Sequence, residues 1–182
     1  RVCSIAVTHS GEAGVLLVGP AELAIPAWRA ARAAGALPVG FDSLDVARIE
    51  AGIPEMDADM DESYLAPEVG LADAVSTRKG CYIGQEVVER VSSRGNVQRK
   101  LVGLELETTT PVASGTALLE EGKDVGAITS CVFSPARNRA IALAYARRSV
   151  WALGTRVIVA NGSPDSIAVV TQLPFIPVGA SL

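Results

Sequence analysis

Alternation of apolar and polar positions marks the two ends of this chain, and a helical period lies between them. Val2 to Thr8 is rich in β-branched and apolar residues and predicts a strand, and Val15 to Val18 predicts a second. The polar, glycine-bearing stretch His9-Ser10-Gly11-Glu12-Ala13-Gly14 between them predicts a hairpin turn. From Pro20 the spacing becomes helical: Leu23, Ala27, Ala30 or Ala31, and Ala34 form one apolar stripe, which Gly35 stops. Gly40-Phe41-Asp42-Ser43 opens a second helix with Asp42 or Ser43 as its cap. Leu44, Ala47 and Ala51 share a face of it, and Gly52 with Ile53-Pro54 ends it. A hairpin whose apolar face needs a cover, followed by helices, predicts a two-layer α+β unit.

The middle of the chain is less regular. Glu55-Met56-Asp57-Ala58-Asp59-Met60-Asp61-Glu62 lacks the spacing and glycine placement of a calcium-binding EF-hand loop and predicts a solvated acidic loop. Pro67 and Gly70 bracket Glu68 in another irregular segment. A helix is expected from about Gln85 to Val91, with Ile83, Val87, Val88 and Val91 on its inner side, running into a loop at Ser92-Ser93-Arg94-Gly95-Asn96. From Leu101 onward, short strands are predicted at Leu101 to Leu106, Ala117 to Leu119, Val125 to Thr129, Ile141 to Ala146, Arg156 to Val159 and Ile167 to Gln172. Glycines separate or bend them, which is the pattern of a small antiparallel barrel or sandwich. Val132-Phe133-Ser134-Pro135 predicts a loop, and Leu173-Pro174-Phe175 is placed to tuck an aromatic ring against the preceding domain. The boundary falls near residues 98 to 101, giving a domain over 1–98 and another over 99–182.

Composition narrows the function classes. With 182 residues, 49% hydrophobic and 20% charged, the chain can bury a core. A formal charge of −4 argues against nucleic-acid binding driven by net charge. The charge is nonetheless unevenly spread: residues 41–73 hold ten acids and one cation, Arg48, whereas residues 78–100 hold six cations against Glu86 and Glu89. That basic stretch is suited to phosphates, an anionic cofactor tail or a loop of RNA, or to pairing with the acidic half. The three cysteines, Cys3, Cys81 and Cys131, are too few and too scattered for a disulfide framework or a self-contained zinc site. A reducing compartment is expected, the cytoplasm or a mitochondrial matrix. No apolar run of membrane-spanning length and no signal peptide is seen, so no membrane partner is expected. The opening Arg1-Val2-Cys3 already reads as a strand without an initiator methionine, so a fragment, a processed form or part of a larger protein is expected.

Candidate chemistry concentrates at Lys79-Gly80-Cys81-Tyr82-Ile83-Gly84-Gln85-Glu86. Cys81 is the one cysteine with polar and cationic neighbours, Arg78 and Lys79 among them, ahead of a helix start. A positive setting near a helix N-terminus lowers a thiol's pKa and frees the thiolate. The alternative is a strand-to-helix turn in which the glycines serve the backbone and the cysteine is a small packing residue. Arg48 is either a salt-bridged structural arginine or a rigid donor array for a carboxylate or an electron-rich ring. Cys3 and Cys131, in apolar strand contexts, are expected in the core.

Taken in order, several stretches resemble the folate-binding T protein of the glycine cleavage system and its YgfZ-type relatives. They are Thr8-His9-Ser10-Gly11-Glu12-Ala13-Gly14, Leu44 to Pro54 with Arg48 at its centre, and Pro67-Glu68-Val69-Gly70-Leu71. They continue through Gly126-Ala127-Ile128-Thr129-Ser130, Phe133-Ser134-Pro135 and Leu173-Pro174-Phe175. The segment Lys79 to Glu86 looks like the signature of the YgfZ-type branch, with Arg94-Gly95 and Arg99 as its basic continuation. The resemblance implies an α+β fold, a ferredoxin-like-type α/β unit followed by a small antiparallel β-barrel. It also implies a folate-binding accessory protein that supports iron–sulfur enzymes or tRNA modification through Cys81. Tetrahydrofolate would be its cofactor, and reduced folate, iron–sulfur proteins and tRNA its partners.

The residues to which the resemblance gives roles are Cys81 for the chemistry, Glu12, Arg48, Lys79 and Arg94 for the cofactor, and Gly80, Tyr82, Gly84, Gln85 and Glu86 as support for the motif; no metal ligand is assigned. Two other functions follow from the same likeness: a tetrahydrofolate-dependent aminomethyltransferase, and a protein- or tRNA-binding module without chemistry. The sequence departs from the T-protein pattern twice. The domain-sized segment that carries the T protein's aspartate is not in this sequence, so the methylene-transfer site is expected to be incomplete and the enzyme assignment open. Leu16 also stands where the enzymatic branch has an acid for the pterin. A leucine has no acceptor, and a buried pterin donor left unpaired would cost about 1–3 kcal/mol.

Overall fold

The computed structural model describes residues 1–71, 74–76, 79–86, 97–160 and 166–177. The chain opens with a two-stranded antiparallel hairpin, β1 (Cys3–Val7) and β2 (Gly14–Val18), in which Cys3 faces Val18 and Val7 faces Gly14. A single 3₁₀ turn at Ala21–Leu23 leads into helix α1 (Ala24–Ala33), and Gly35 leaves it at φ 96°. The ferredoxin-like expectation is thus represented, among the described residues, by this hairpin and one helix. Helix α2 (Phe41–Glu50) and the one-turn helix α3 (Ala66–Val69) follow. Six strands then close into an antiparallel barrel: β3 (Arg99–Leu106), β4 (Ala117–Glu120), β5 (Lys123–Ser134), β6 (Arg139–Arg147), β7 (Arg156–Val159) and β8 (Ser166–Thr171), ordered β3-β6-β5-β4-β7-β8.

Strand β6 shows how the sequence builds two packed layers from one ladder. Side chains alternate across a strand, and here Ala140, Ala142, Ala144 and Ala146 face the barrel interior with Leu104, Leu118, Ile128, Val159 and Val170. The larger Ile141, Leu143 and Tyr145 face outward, where Ile49 of α2, Val69 of α3, Leu101 and Phe175 cover them. Small residues inside let a six-stranded barrel close tightly, and large ones outside give the helices something to bury. The C-terminal stretch completes this outer layer. The Phe175 and Ile176 N–H groups both donate to the Glu50 carbonyl, at 2.8 and 3.2 Å, and the Phe175 ring is buried, as the sequence suggests. Gly103 of β3 leaves the room this needs: a Cβ there would lie 2.7 Å from Leu173 Cδ2 and 2.9 Å from Phe175 Cζ.

Four local expectations are corrected. Val132 to Ser134 form no loop but continue β5, because β6 pairs with β5 as far as Ser134 opposite Arg139. Helix α2 is capped at Gly40 in extended backbone, and neither Asp42 nor Ser43 makes a side-chain cap. Its buried face is Arg48 and Ile49, while Leu44 stays exposed, because the barrel wall lies against the former pair. Glu68 belongs to a helix: its carboxylate reaches back to accept the Leu65 N–H at 3.1 Å, and Gly70 closes α3 at φ 82°. Within the expected Gln85–Val91 helix, Gln85 and Glu86 are helical, and Val87 to Val91 lie outside the described residues.

Gly126 is the backbone position least open to change. A Cβ there would sit 2.0 Å from the Tyr145 carbonyl oxygen, so β5 and β6 could not keep their register. Gly126→Ala is expected to lower stability by at least the roughly 1–3 kcal/mol typical of overpacking. A urea midpoint displaced by less than a tenth of that amount would contradict this account of the ladder.

Candidate functional site

The best-ordered cluster of polar side chains joins α2 to the barrel. After α2, Gly52 at φ 70° turns the chain back, and the acidic segment closes on itself through Asp59 N–H and Met60 N–H donating to the Glu55 carbonyl. Asp57 takes φ 67° in this turn, a conformation that aspartate tolerates better than most residues. The turn drives Asp59 inward. Its side chain is fully buried, with Oδ2 accepting from Arg48 Nη1 at 2.7 Å and from the Glu55 N–H at 3.1 Å. Its Oδ1 accepts from Thr129 Oγ1 at 2.5 Å and Ser130 Oγ at 2.7 Å.

Adjacent residues of a regular strand point to opposite faces, so Thr129 and Ser130 reach one carboxylate only because the β5–β6 register shifts between Ile128 and Ser130. Arg48 closes the ring. Nη2 donates to Ser130 Oγ at 3.2 Å, Nε to Asp45 Oδ1 at 2.7 Å, and Nη1 also to the Ile53 carbonyl at 3.4 Å, with Glu55 Oε2 3.1 Å from Nε. This corrects the solvated-loop expectation for the acidic run: Asp59 is a buried partner. It also assigns Arg48 to the structural alternative, because its donors are spent within the chain. The neighbouring Glu50 carboxylate accepts from Ser134 Oγ, a second tie between α2 and β5.

A second cluster lines a cleft of about 580 Å³ on the outer barrel wall. Tyr64 and Tyr145 stack with centroids 4.3 Å apart and planes 19° from parallel. The Arg99 guanidinium lies 4.3 Å from the Tyr64 centroid and 5.6 Å from that of Tyr145. Glu68 holds it, with Oε1 3.3 Å from Nε and Oε2 3.4 Å from Nη2. Such guanidinium–aromatic contacts are worth about 0.5–2 kcal/mol. Burial, the larger cause, pushes the Tyr145 phenol far above the usual tyrosine range, and the nearby Tyr64 adds to it.

The Cys81 segment is a third, separate feature. The Cys81 thiol is exposed, Gly84 turns the backbone at φ 89°, and the Tyr82 N–H donates to Gln85 Oε1 at 3.3 Å. Lys79 Nζ lies 4.7 Å from the Tyr82 centroid, and the Lys79 N–H donates to Ser76 Oγ at 3.2 Å. Gly80 has open space where a Cβ would be. Glu12 is exposed in the hairpin turn and Glu86 is exposed in the helical start, whereas Arg94 lies outside the described residues. No printed hydrogen bond or ion pair among the described residues brings Glu12, Arg48 and Lys79 together. Cys3 is exposed on the hairpin edge, contrary to the core expectation, because nothing described packs on that strand; Cys131 is partly buried against the barrel core, as expected. Asp59, Tyr64 and Tyr145 were missed by sequence reasoning. The β-bulge that recruits Asp59 leaves no mark in composition, and the two tyrosines are 81 positions apart.

Two outcomes follow. Asp59→Asn removes one partner of a buried ion pair and is expected to cost about 3–5 kcal/mol, read as a lower urea midpoint at constant slope. The exposed Asp57→Asn should stay within about 0.5 kcal/mol of the parent. In the folded protein, a thiol reagent should modify Cys81 and Cys3 promptly. Cys131, whose thiol burial pushes up, should react only on unfolding, and equal rates for all three would overturn this placement.

Comparison with known proteins fits these observations. The family described as the glycine cleavage T-protein C-terminal barrel domain matches residues 99–176. An aminomethyltransferase of Thermotoga neapolitana is 36% identical over 179 residues, covering 96% of this chain and 48% of that protein. One from Rippkaea orientalis is 34% identical over 168 residues, covering 92% and 45%. A putative chloroplastic transferase of Arabidopsis thaliana is 28% identical over 92% of this chain and 37% of its own length. The crystal structure of glycine cleavage system aminomethyltransferase T from Bartonella henselae superposes with a TM-score of 0.85 at 24% identity, over 93% of this chain and 48% of that one, a likeness of fold. The chain spans less than half the length of these relatives. It is homologous to the aminomethyltransferases, and its second half matches the C-terminal barrel domain of the glycine cleavage T protein.

Proposed function

We propose that this chain works in folate-dependent one-carbon chemistry of the aminomethyltransferase type, as one part of a site of which it supplies the barrel and the helices docked on it. The observation that carries this reading is the 36% identity to an aminomethyltransferase over 96% of the chain. In that chemistry, tetrahydrofolate supplies the nitrogen that accepts a one-carbon unit from an aminomethyl donor. The role of this chain's residues would be geometric: the Asp59–Arg48 ring fixes α2 and the acidic turn on the barrel, so that groups on that surface hold their positions when ligand binds. Arg48 does not fit the folate-tail role, since four of its N–H groups already have acceptors. Glu12, exposed beside Leu16, remains the acid that the resemblance assigns to the pterin.

The second reading is the YgfZ-type accessory role through Cys81, in support of iron–sulfur enzymes or tRNA modification, with Lys79 and Arg94 as the cations beside it. It is favoured by an exposed thiol within Lys79-Gly80-Cys81-Tyr82-Ile83-Gly84-Gln85-Glu86, held open by Gly84. A cytoplasmic or mitochondrial-matrix location belongs to this proposal too. No helix of the described residues is long and apolar enough to cross a membrane.

One pair of assays separates the readings. Calorimetric titration with reduced folate, followed by an assay for glycine-dependent methylene-tetrahydrofolate in the complete protein, should give saturable binding and turnover if the first holds. Cys81→Ser should leave that turnover within about twofold, a change of about 0.4 kcal/mol. Should turnover be absent while Cys81→Ser abolishes support of iron–sulfur enzymes, the accessory role replaces it.

A further inference from the structure

Strands β3 and β6 set Arg99 directly opposite Arg147. Like charges in opposed cross-strand positions destabilise a ladder unless something compensates them. Arg99 has its compensation in Glu68 and in the ring of Tyr64. Arg147 is exposed and finds no acceptor among the described residues. Two positions back on the same strand, and therefore on the same face, stands Tyr145. Its hydroxyl is buried and has no hydrogen-bond partner. A buried polar group left unpaired costs about 1–3 kcal/mol, so such groups call for an explanation.

Both residues line the cleft of about 580 Å³, with Gln98 beside them. An unspent guanidinium and an unspent phenol on one strand face form a donor pair without an acceptor. Burial keeps the phenol protonated, so it remains a donor at neutral pH. The acids of the cleft are accounted for: Glu68 serves Arg99 and the Leu65 N–H, and Asp124 Oδ1 accepts the Gly126 N–H. Arg99, Arg147, Glu68 and Asp124 together carry no formal net charge. That favours one compact oxyanion over a polyanion such as RNA, whose binding needs an excess of cations.

We propose that this cleft binds a small ligand bearing a single carboxylate or phosphate group, whose oxygens accept from Arg147 and from the Tyr145 hydroxyl. Charge-assisted hydrogen bonds of this kind are about twice as strong as neutral ones. The site is independent of Cys81 and of the folate reading above.

The test is calorimetric titration of the chain with inorganic phosphate and, separately, with glutarate. One of the two should saturate at a single site, and which one does so tells a phosphoryl from a carboxyl ligand. Arg147→Gln should weaken that binding roughly tenfold, equivalent to 1.4 kcal/mol. Tyr145→Phe should weaken it with no loss of thermal midpoint, because the hydroxyl it removes bonds nothing in the free protein and the ring stack is kept. Heat signals absent for both anions up to tens of millimolar, or affinities unchanged in the two variants, would overturn the proposal; so would a Tyr145→Phe variant that binds normally.

Discussion

The fold turns on a buried carboxylate. Asp59 accepts four hydrogen bonds, two from barrel residues and two from the segment that follows α2, so the helices cannot leave the barrel wall without stranding a charge. Desolvating an ion pair is expensive, and its attraction repays that cost only when the remaining lone pairs and protons are also satisfied. Here they are: Ser130 receives a proton from Arg48 and passes its own to Asp59, while Thr129 divides its hydroxyl between Asp59 and the Leu143 carbonyl. Such a ring is specific as well as strong. It forms only with α2 in one rotation and β5 in one register.

Apolar packing then follows the same geometry. The rotation that points Arg48 at Ser130 also points Ile49 into the outer layer with Leu143 and Phe175. The backbone of Glu50, one residue on, is left to receive the N–H groups of Phe175 and Ile176. Three consecutive residues of α2 therefore hold the barrel by charge, by apolar contact and by backbone hydrogen bonds. Burying a side chain the size of Phe175 or Ile49 contributes about 1.5–3 kcal/mol. The outer layer is thus a substantial part of the stability and no mere contact between domains. Segment 41–71 goes with the barrel structurally, although its composition sets it with the first half.

This explains what was legible in the sequence. The barrel strands were visible because Leu101 to Leu106, Ile141 to Ala146 and Arg156 to Val159 alternate or carry β-branched runs, and period two survives any tertiary context. The end of β5 was not, since Ser134-Pro135 has turn composition, and only the partner strand keeps Ser134 extended. The acidic run misled for a similar reason. Asp57 and Asp59 are indistinguishable as letters, yet one is exposed and the other buried, because the intervening turn and a bulge on a distant strand decide which side chain faces in. The charge contrast between residues 41–73 and 78–100 was likewise only partly functional in kind: Asp45, Glu55 and Asp59 serve Arg48, and Glu68 serves Arg99. Of the candidate chemistry, the reachable Cys81 thiol could be inferred from its neighbours, whereas the Tyr64–Tyr145 cleft could not, because it exists only once β6 is laid beside β3.

The hairpin and α1 obey different energetics. Val15, Leu17, Ile25 and Trp28 are all more than half exposed, and no residue of α1 is buried. An isolated two-stranded hairpin is marginal in water, since it has a ladder on one side and no layer to pack against. The chain therefore divides by cooperativity more than by composition. The barrel with α2 and α3 shares the Asp59 ring and both apolar clusters and should open as a unit, while residues 3–33 depend on local hydrogen bonds and belong at the low-stability end of the molecule. Glu12 sits on that low-stability hairpin, and Arg147 sits on the barrel. A ligand held through Glu12 would have to pay for ordering its own binding surface, whereas one held by Arg147 and Tyr145 would meet donors already fixed by the ladder. For equal contacts, that difference in preorganisation favours the barrel cleft as the tighter site.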